Sequence, residues 1–226
     1  MRHSVILTSY NRPVFVKQAI NSVLQQTHPD WELIVVDDGS NAETRSTIKG
    51  LIADEPRGFL LDGLEPYPAD RSDGCSRLVD CVNIGLERAT GDVIHYLADD
   101  DFYEVGRFKV FEILFKDPQV IVGFGRLMYT RHDGRPTGRT RYYRTIDIDD
   151  PRGMLDHNQV AHRRDVLSKV GYWDRDTFTN YDPDGYFFRK LRALWIFHAI
   201  DAVVAYKREH SLNIQVTRER TGEQRE

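Results

Sequence analysis

Residues Val93 to Tyr103 read VIHYLADDDFY, an apolar run that ends abruptly in three aspartates. Val93, Ile94, Tyr96 and Leu97 predict a buried strand, with Asp99, Asp100 and Asp101 at its C-terminal edge. Two ionised carboxylates about 4 Å apart repel by roughly 4 kcal/mol at an effective dielectric of about 20, so water, protonation or a cation must relieve the cluster. An all-oxygen donor set favours a hard divalent ion. Mg²⁺ or Mn²⁺ suits it, because Mg²⁺ is commonly held by one or two carboxylates and completes its shell with water and substrate phosphate. The alternative is a solvated acidic turn that caps the following helix.

Upstream the same pattern recurs. Ser4 to Thr8 predicts a first strand that runs into Ser9, Tyr10, Asn11, Arg12 and Pro13. Val16, Ala19, Ile20, Val23 and Leu24 then form one helical stripe, ended by Pro29. Leu33 to Val36 predicts a second strand, which also terminates in acid, Asp37 and Asp38, followed by Gly39 and Ser40. A weaker helix over 42–53 leads to a short strand at Phe59 to Leu61. A polar segment with Asp62, Arg71, Asp73 and Gly74 follows, and then a helix stripe of Leu78, Val79, Val82, Leu86 and Ala89 closed by Gly91. Strands alternating with amphipathic helices predict an α/β fold whose parallel strands end on one edge. Tyr10, Asp38 and Asp100 therefore converge where open α/β sheets bind ligands. No GxGxxG follows the first strand and no GxxxxGK[ST] occurs anywhere, which argues against ordinary dinucleotide and P-loop sites.

Downstream the pattern becomes mixed. The spacing predicts a helix over 105–115, a long or bulged strand over 120–129, a turn at Asp133-Gly134 and an antiparallel return over 139–144. Residues 154–162 read as a loop and short strand, and 164–170 as a short helix with Gly171 just past its end. Tyr181-Asp182-Pro183-Asp184 precedes a helix over 185–193, with Asp184 where an N-cap would stand. A last strand covers 200–206. We expect a single domain over 1–216, with a regular half at 1–103 and a mixed half at 104–216, and a flexible polar tail over 217–226.

Composition sets the outer bounds. Lys and Arg number 31 against 35 Asp and Glu, a net charge of −4 spread along the chain, so no nucleic-acid footprint is expected. Cys75 and Cys81 are six apart on one predicted helix, a spacing that suits neither a zinc site nor a disulfide framework. The N-terminal apolar run is too short for a signal segment, and no stretch is long enough to cross a bilayer. These features predict a cytoplasmic protein, with peripheral membrane contact left open.

Four stretches together carry a family resemblance: SVILTSYNRP, AINSVLQQTHPDWELIVVDDGS, LADDDFY followed by Arg107, and YDPDGYFFRKL. With them the chain resembles inverting family 2 glycosyltransferases of the GT-A fold, most closely the small spore-coat polysaccharide glycosyltransferases. The resemblance implies a nucleotide site built from Thr8, Tyr10, Arg12, Asp38, Arg71, Arg77 and Asp99. In it Tyr10 stacks on the base and Asp38 accepts the base's imide N–H, which suits uracil or thymine. Arg71 and Arg77 fall where relatives place basic groups over the ribose or diphosphate; plain surface residues are the alternative. The family's Asp-x-Asp-Asp motif has Ala98 at its first position here. That leaves Asp100 as the metal ligand for Mn²⁺ or Mg²⁺, Asp99 for the ribose and Asp101 as support. Asp184 matches the acceptor-side base with Asp182 as competitor, and His210 sits where relatives carry a histidine near the diphosphate.

The expected reaction is sugar transfer from a UDP- or dTDP-sugar to a hydroxyl acceptor, whether glycan, lipid-linked or small molecule, with inversion at the anomeric carbon. Asp184 would act as general base, a role that contributes about 10² to 10⁴ in rate. Three alternatives stay open. A nucleotidyltransferase would attack the α-phosphate and usually needs a basic Gly-rich loop that TSYNRP does not supply; a nucleotide-sugar hydrolase would release free sugar; a non-catalytic binding module would leave Asp184 idle.

Overall fold

The structure is a computed structural model that describes residues 1–62, 74–175 and 182–210. Its first part alternates as expected: β1 (His3–Ser9), α1 (Pro13–Leu24), β2 (Trp31–Asp37), α2 (Ala42–Ile52), β3 (Gly58–Asp62), α3 (Gly74–Arg88) and β4 (Val93–Ala98). After β4 come β5 (Phe102–Tyr103), α4 (Arg107–Leu114), β6 (Val122–Thr130), β7 (Pro136–Arg141), a 3-10 turn at His157–Gln159, β8 (Val160–Arg163), α5 (Leu167–Val170), α6 (Pro183–Arg192) and β9 (Phe197–Arg208). One sheet runs β3-β2-β1-β4-β8-β6-β9-β5, with β7 added beside β6. The β1–β2, β1–β4, β2–β3 and β6–β9 pairs are parallel and the others antiparallel.

Strand periodicity sorts the core into two layers, since successive side chains leave opposite faces of a sheet. Val5, Leu7, Leu33, Val35, Val93 and Leu97 pack with Val16, Ile20, Phe108 and Phe111 of α1 and α4. Ile6, Ile34, Val36, Ile94 and Tyr96 pack with Val79, Val82 and Leu86 of α3 and Phe187 and Leu191 of α6. Each fully buried aliphatic or aromatic side chain of this kind stabilises the fold by about 1.5–3 kcal/mol relative to exposure.

Below the sheet's N-terminal edge, buried Glu32 fastens three segments. One carboxylate oxygen, Oε1, accepts from Ser4 Oγ and Thr90 N, both at 2.6 Å, and Oε2 accepts from Arg2 Nη2 at 3.0 Å. Gly91 completes the arrangement, because a Cβ there would lie 2.8 Å from the Arg2 carbonyl. Arg107 is a second fastener. It is fully buried and, among the described residues, has no carboxylate partner; instead Nη1 donates to Asn158 O at 2.6 Å, Nη2 to Val160 O at 2.9 Å and Nε to His95 Nδ1 at 3.1 Å. A buried cation is tolerable only when its donors are spent in this way.

Several boundaries differ from expectation. The helix expected over 105–115 begins at Arg107, because Phe102 and Tyr103 are drawn into pairing with Tyr206 and Ala205 of the last strand. That strand starts at Phe197 and has 12 residues rather than the expected seven. The antiparallel return begins earlier, at Pro136. Asp184 is not the N-cap of its helix: Pro183 occupies the first helical position, for which its fixed φ is suited, so Asp182 becomes the N-cap residue and Asp184 lies in the first turn. Arg71 and the tail over 217–226 lie outside the described residues.

Candidate active site

The site forms where β1, β2 and β4 end together. β8 runs antiparallel to β4 and β6 antiparallel to β8, so β6 and its parallel neighbour β9 also end on this edge. Thr8 lies in register with Val36 and Ala98 at the mouth. Beyond it the chain turns through Asn11, whose φ of 51° is a left-handed value that asparagine tolerates better than most residues. Asn11 N donates to Ser40 Oγ at 3.0 Å, and Asn41 N donates to Asn11 Oδ1 at 2.7 Å, so the two loops brace each other. Gly39, at φ 75°, lets Ser40 N turn back onto Asp37 Oδ2 at 3.0 Å.

These turns aim the expected nucleotide residues. Tyr10 N donates to Asp99 Oδ2 at 2.9 Å, which brings the end of β1 to the aspartate triad. Asp38 N donates to Ser9 O at 2.9 Å, and its carboxylate receives Arg77 Nε at 2.8 Å and Nη2 at 2.7 Å. Arg77, expected over the ribose or diphosphate, is therefore engaged with Asp38.

The triad itself is divided by its neighbours. Arg12 Nη1 bridges Asp99 Oδ1 at 2.8 Å and Asp100 Oδ2 at 2.9 Å, and His210 Nε2 lies 3.0 Å from that same Asp100 oxygen. Asp101 accepts from Asn158 Nδ2 at 2.8 Å and from Arg208 N at 2.7 Å. Burial, together with the charge of Asp100, pushes Asp99 up to about 6 and Asp101 well above the usual carboxylate range. Burial acts on Asp100 in the same direction, but His210 and Arg12 outweigh it and hold this carboxyl low. Negative charge thus concentrates on Asp100.

A divalent ion fits this donor pair. Asp100 Oδ2 and His210 Nε2, 3.0 Å apart, are a carboxylate oxygen and an imidazole nitrogen, a donor set that would suit Mn²⁺. Among the described residues no group of three or more His, Cys, Asp or Glu side chains is placed to hold a metal. Substrate phosphate and water would have to complete the shell, and Arg12 shares the oxygen concerned.

At the start of α6, Asp184 Oδ2 accepts from His157 N at 3.0 Å and faces His157 Nδ1 at 3.3 Å, while Gly185 N reaches Oδ1 at 3.1 Å. The side chains of His157 and Asp184 are 17% and 15% exposed, so the pair is enclosed yet reachable. Burial alone would raise Asp184 and lower His157; their mutual contact reverses both, leaving Asp184 below the carboxylate range and His157 above 6.5. Asp182 folds back over the helix entry, where a Cβ on Gly185 would collide with its carboxylate.

The sequence did not nominate His157, Asn158, Asp156 or Lys207, which connect the two sides. Lys207 is ion-paired with Asp156, and Asp156 also accepts from Asn158 Nδ2 at 2.6 Å. The one sequence signal available was the capping box of Asp156 and Gln159 around the 3-10 turn.

The family model for glycosyl transferase family 2 matches residues 4–209, the span that contains every residue of this site described above except His210. The chain belongs to glycosyl transferase family 2. This family 2 glycosyltransferase chain is 33% identical to protein CgeD of Bacillus subtilis over 209 residues, covering 89% of the chain and 48% of CgeD; it thus spans about half that relative's length. It is 34% identical over 100 residues to the GalNAc(5)-diNAcBac-PP-undecaprenol beta-1,3-glucosyltransferase of Campylobacter jejuni, covering 43% of the chain and 29% of that enzyme. Its fold matches S. aureus TarS 1-349 in complex with UDP at a TM-score of 0.68 and 17% identity, over 92% of this chain and 61% of that one. Mannosyltransferase PcManGT from Pyrobaculum calidifontis, in complex with GDP-Man and Mn²⁺, matches at 0.68 and 16% identity, over 97% and 60%. The fold is that of GT-A glycosyltransferases. No helix among the described residues is long and apolar enough to cross a membrane.

Proposed function

We propose that this chain transfers a sugar from a UDP- or dTDP-sugar to an acceptor hydroxyl, with inversion, in the cytoplasm. The observation that carries the reading is Asp184: an enclosed carboxylate held ionised by His157 on the acceptor side, across the sheet edge from Tyr10, Asp38 and the aspartate triad. Tyr10 packs against the pyrimidine and Asp38, oriented by Arg77, accepts its N3–H; cytosine lacks that donor. Asp99, tied to Tyr10 and Arg12, faces the ribose. Asp100 and His210 hold Mn²⁺ or Mg²⁺, which supplies charge stabilisation to the departing diphosphate when bound. Arg12 adds a second cation beside that leaving group. Asp184 then takes the acceptor's proton as the new glycosidic bond forms and the bond from the anomeric carbon to the diphosphate breaks. A panel of sugar nucleotides, incubated with Mn²⁺ and candidate glycan, lipid-linked and small hydroxyl acceptors, tests this reading by product analysis. A glycosylated product with inverted anomeric configuration supports it; free sugar alone, or attack at the α-phosphate, sinks it.

A further inference from the structure

We propose that the β6–β7 hairpin is a docking track for a polyanionic acceptor, one whose chain carries repeated phosphate or carboxylate groups; the inference rests on the transferase reading and names its acceptor class. Residues 126–144 contain six arginines, no lysine and a single acid, Asp133, in a protein of net charge −4. β7 is exposed from Pro136 to Thr140 and half-buried at Arg141, and Arg139 and Arg141, two apart, leave the same face of the strand. Both guanidinium groups lie over the Tyr129 ring, at 3.9 and 6.0 Å, which holds them splayed along the ribbon.

Local acids answer part of this charge. Arg126 pairs with Asp201, Arg135 with Asp133 and Arg139 with Glu209. Among the described residues, Arg131, Arg141 and Arg144 have no carboxylate within ion-pair distance; Asp133 and Asp201 feel Arg131 and Arg144 as second charges beside their own partners, so six arginines face three acids.

Position favours an acceptor over a membrane. β6 ends on the ligand edge, and the Glu209 that receives Arg139 immediately precedes His210. The turn closes beside α1 and the last strand, with Gly134 against Gln18 and Arg208. Past β7 the chain returns over α6, where Arg192 Nε donates to Ile146 O, and reaches Asp156 and His157 beside Asp184. The basic ribbon thus begins next to the diphosphate end of the site and leads to the base. Guanidinium groups recognise phosphate and carboxylate by charge-assisted, often bidentate hydrogen bonds.

The test uses fluorescent inorganic polyphosphate, neutral dextran, and vesicles of phosphatidylcholine with phosphatidylglycerol, on wild type and on Arg131→Gln/Arg141→Gln/Arg144→Gln. Wild type should bind polyphosphate but not dextran, and UDP with Mn²⁺ should bind at the same time. The triple variant should lose about tenfold or more in polyphosphate affinity, and its log–log salt slope should fall by about 2, with UDP affinity unchanged. If its melting temperature drops, Arg131→Gln/Arg144→Gln, at two exposed positions, gives the same readout with a smaller loss. Equal polyphosphate binding by wild type and variants overturns the proposal. So does competition between UDP and polyphosphate, which would put the polymer in the donor site, and so does binding to vesicles without binding to polyphosphate. Absence of UDP binding in wild type would instead sink the donor reading, an outcome distinct from any of these.

Discussion

His157 presents both its backbone N–H and its ring Nδ1 to one oxygen of Asp184, at 3.0 and 3.3 Å. The backbone contact fixes where the carboxylate sits, and the ring contact adjusts its charge. His157→Ala keeps the first and removes the second. We expect transfer to fall about tenfold with donor affinity unchanged, and the acid limb of the rate profile to move up toward the ordinary carboxylate range. An unaltered profile in steady-state assays from pH 4 to 8 would mean that the ring only packs.

Asp184→Asn retains size and one acceptor oxygen but cannot take a proton at neutral pH. Transfer should fall by about 10² or more while UDP affinity persists. Asp182→Asn serves as the control and should retain most activity, because Asn keeps the size and an acceptor oxygen at the N-cap position while Asp184 remains to take the proton. Nucleotide release, product formation and melting temperature for both variants decide the matter; a dead Asp182→Asn beside an active Asp184→Asn would reverse the assignment.

Asp100 and His210 predict metal-coupled nucleotide binding. UDP affinity should rise on adding Mn²⁺, and Asp100→Ala and His210→Ala should each remove that rise. Calorimetry with and without EDTA measures it directly. If the rise persists in Asp100→Ala, the ion is held elsewhere.

Asp38 and Arg77 predict base selectivity. UDP or dTDP should bind more tightly than GDP or ADP, and Arg77→Ala should narrow the difference by releasing the Asp38 carboxylate from its bond at 2.8 Å. Titrations in which GDP binds best would remove Asp38 from the base pocket.

Glu32 predicts a pH dependence of stability remote from the chemistry. Burial raises its pKa, but hydrogen bonds from Ser4 and Thr90 and the Arg2 charge outweigh burial, so the folded value is lowered. The folded chain therefore binds fewer protons than the unfolded one over this range, and Glu32 stabilises fully above the unfolded value of about 4.3. That contribution disappears as pH falls through the lower folded value. Glu32→Gln should cost about 1–3 kcal/mol at pH 7, and its unfolding curve should converge on wild type under acid conditions. A constant gap between pH 7 and 3 would show that packing, not charge, is responsible.

Much of the first half was legible because each parallel strand is buried on both faces and ends in turn formers. Leu33 to Val36 with Asp37, Asp38 and Gly39 states a strand, its end and its loop within one short segment. The aspartate triad, Tyr10 and Asp38 could be grouped for the same reason. The second half depends on partners far away in sequence. Phe102 and Tyr103 are a strand only because Tyr206 and Ala205 lie beside them. Arg107 was legible only as the residue that follows LADDDFY in a motif, and its burial depends on carbonyl partners at Asn158 and Val160, 51 and 53 residues on. His157 likewise acquires meaning from Asp184, 27 residues later; the local capping box marks a turn there but not that partner.

The interleaving of β9 has a consequence for biosynthesis. β9 lies between β6 and β5, and β5 immediately follows the triad. The Arg208 N–H that donates to Asp101 and the imidazole beside Asp100 both arrive with this segment. A ribosome-bound chain halted at residue 190 would have the nucleotide-facing strands but neither of those contacts, and Arg107 would still lack its Val204 carbonyl. Translation therefore imposes an order: the edge formed by β1, β2 and β4 is made early, and the contacts that complete the triad are withheld until the last described strand has emerged and paired between β6 and the terminal strand β5.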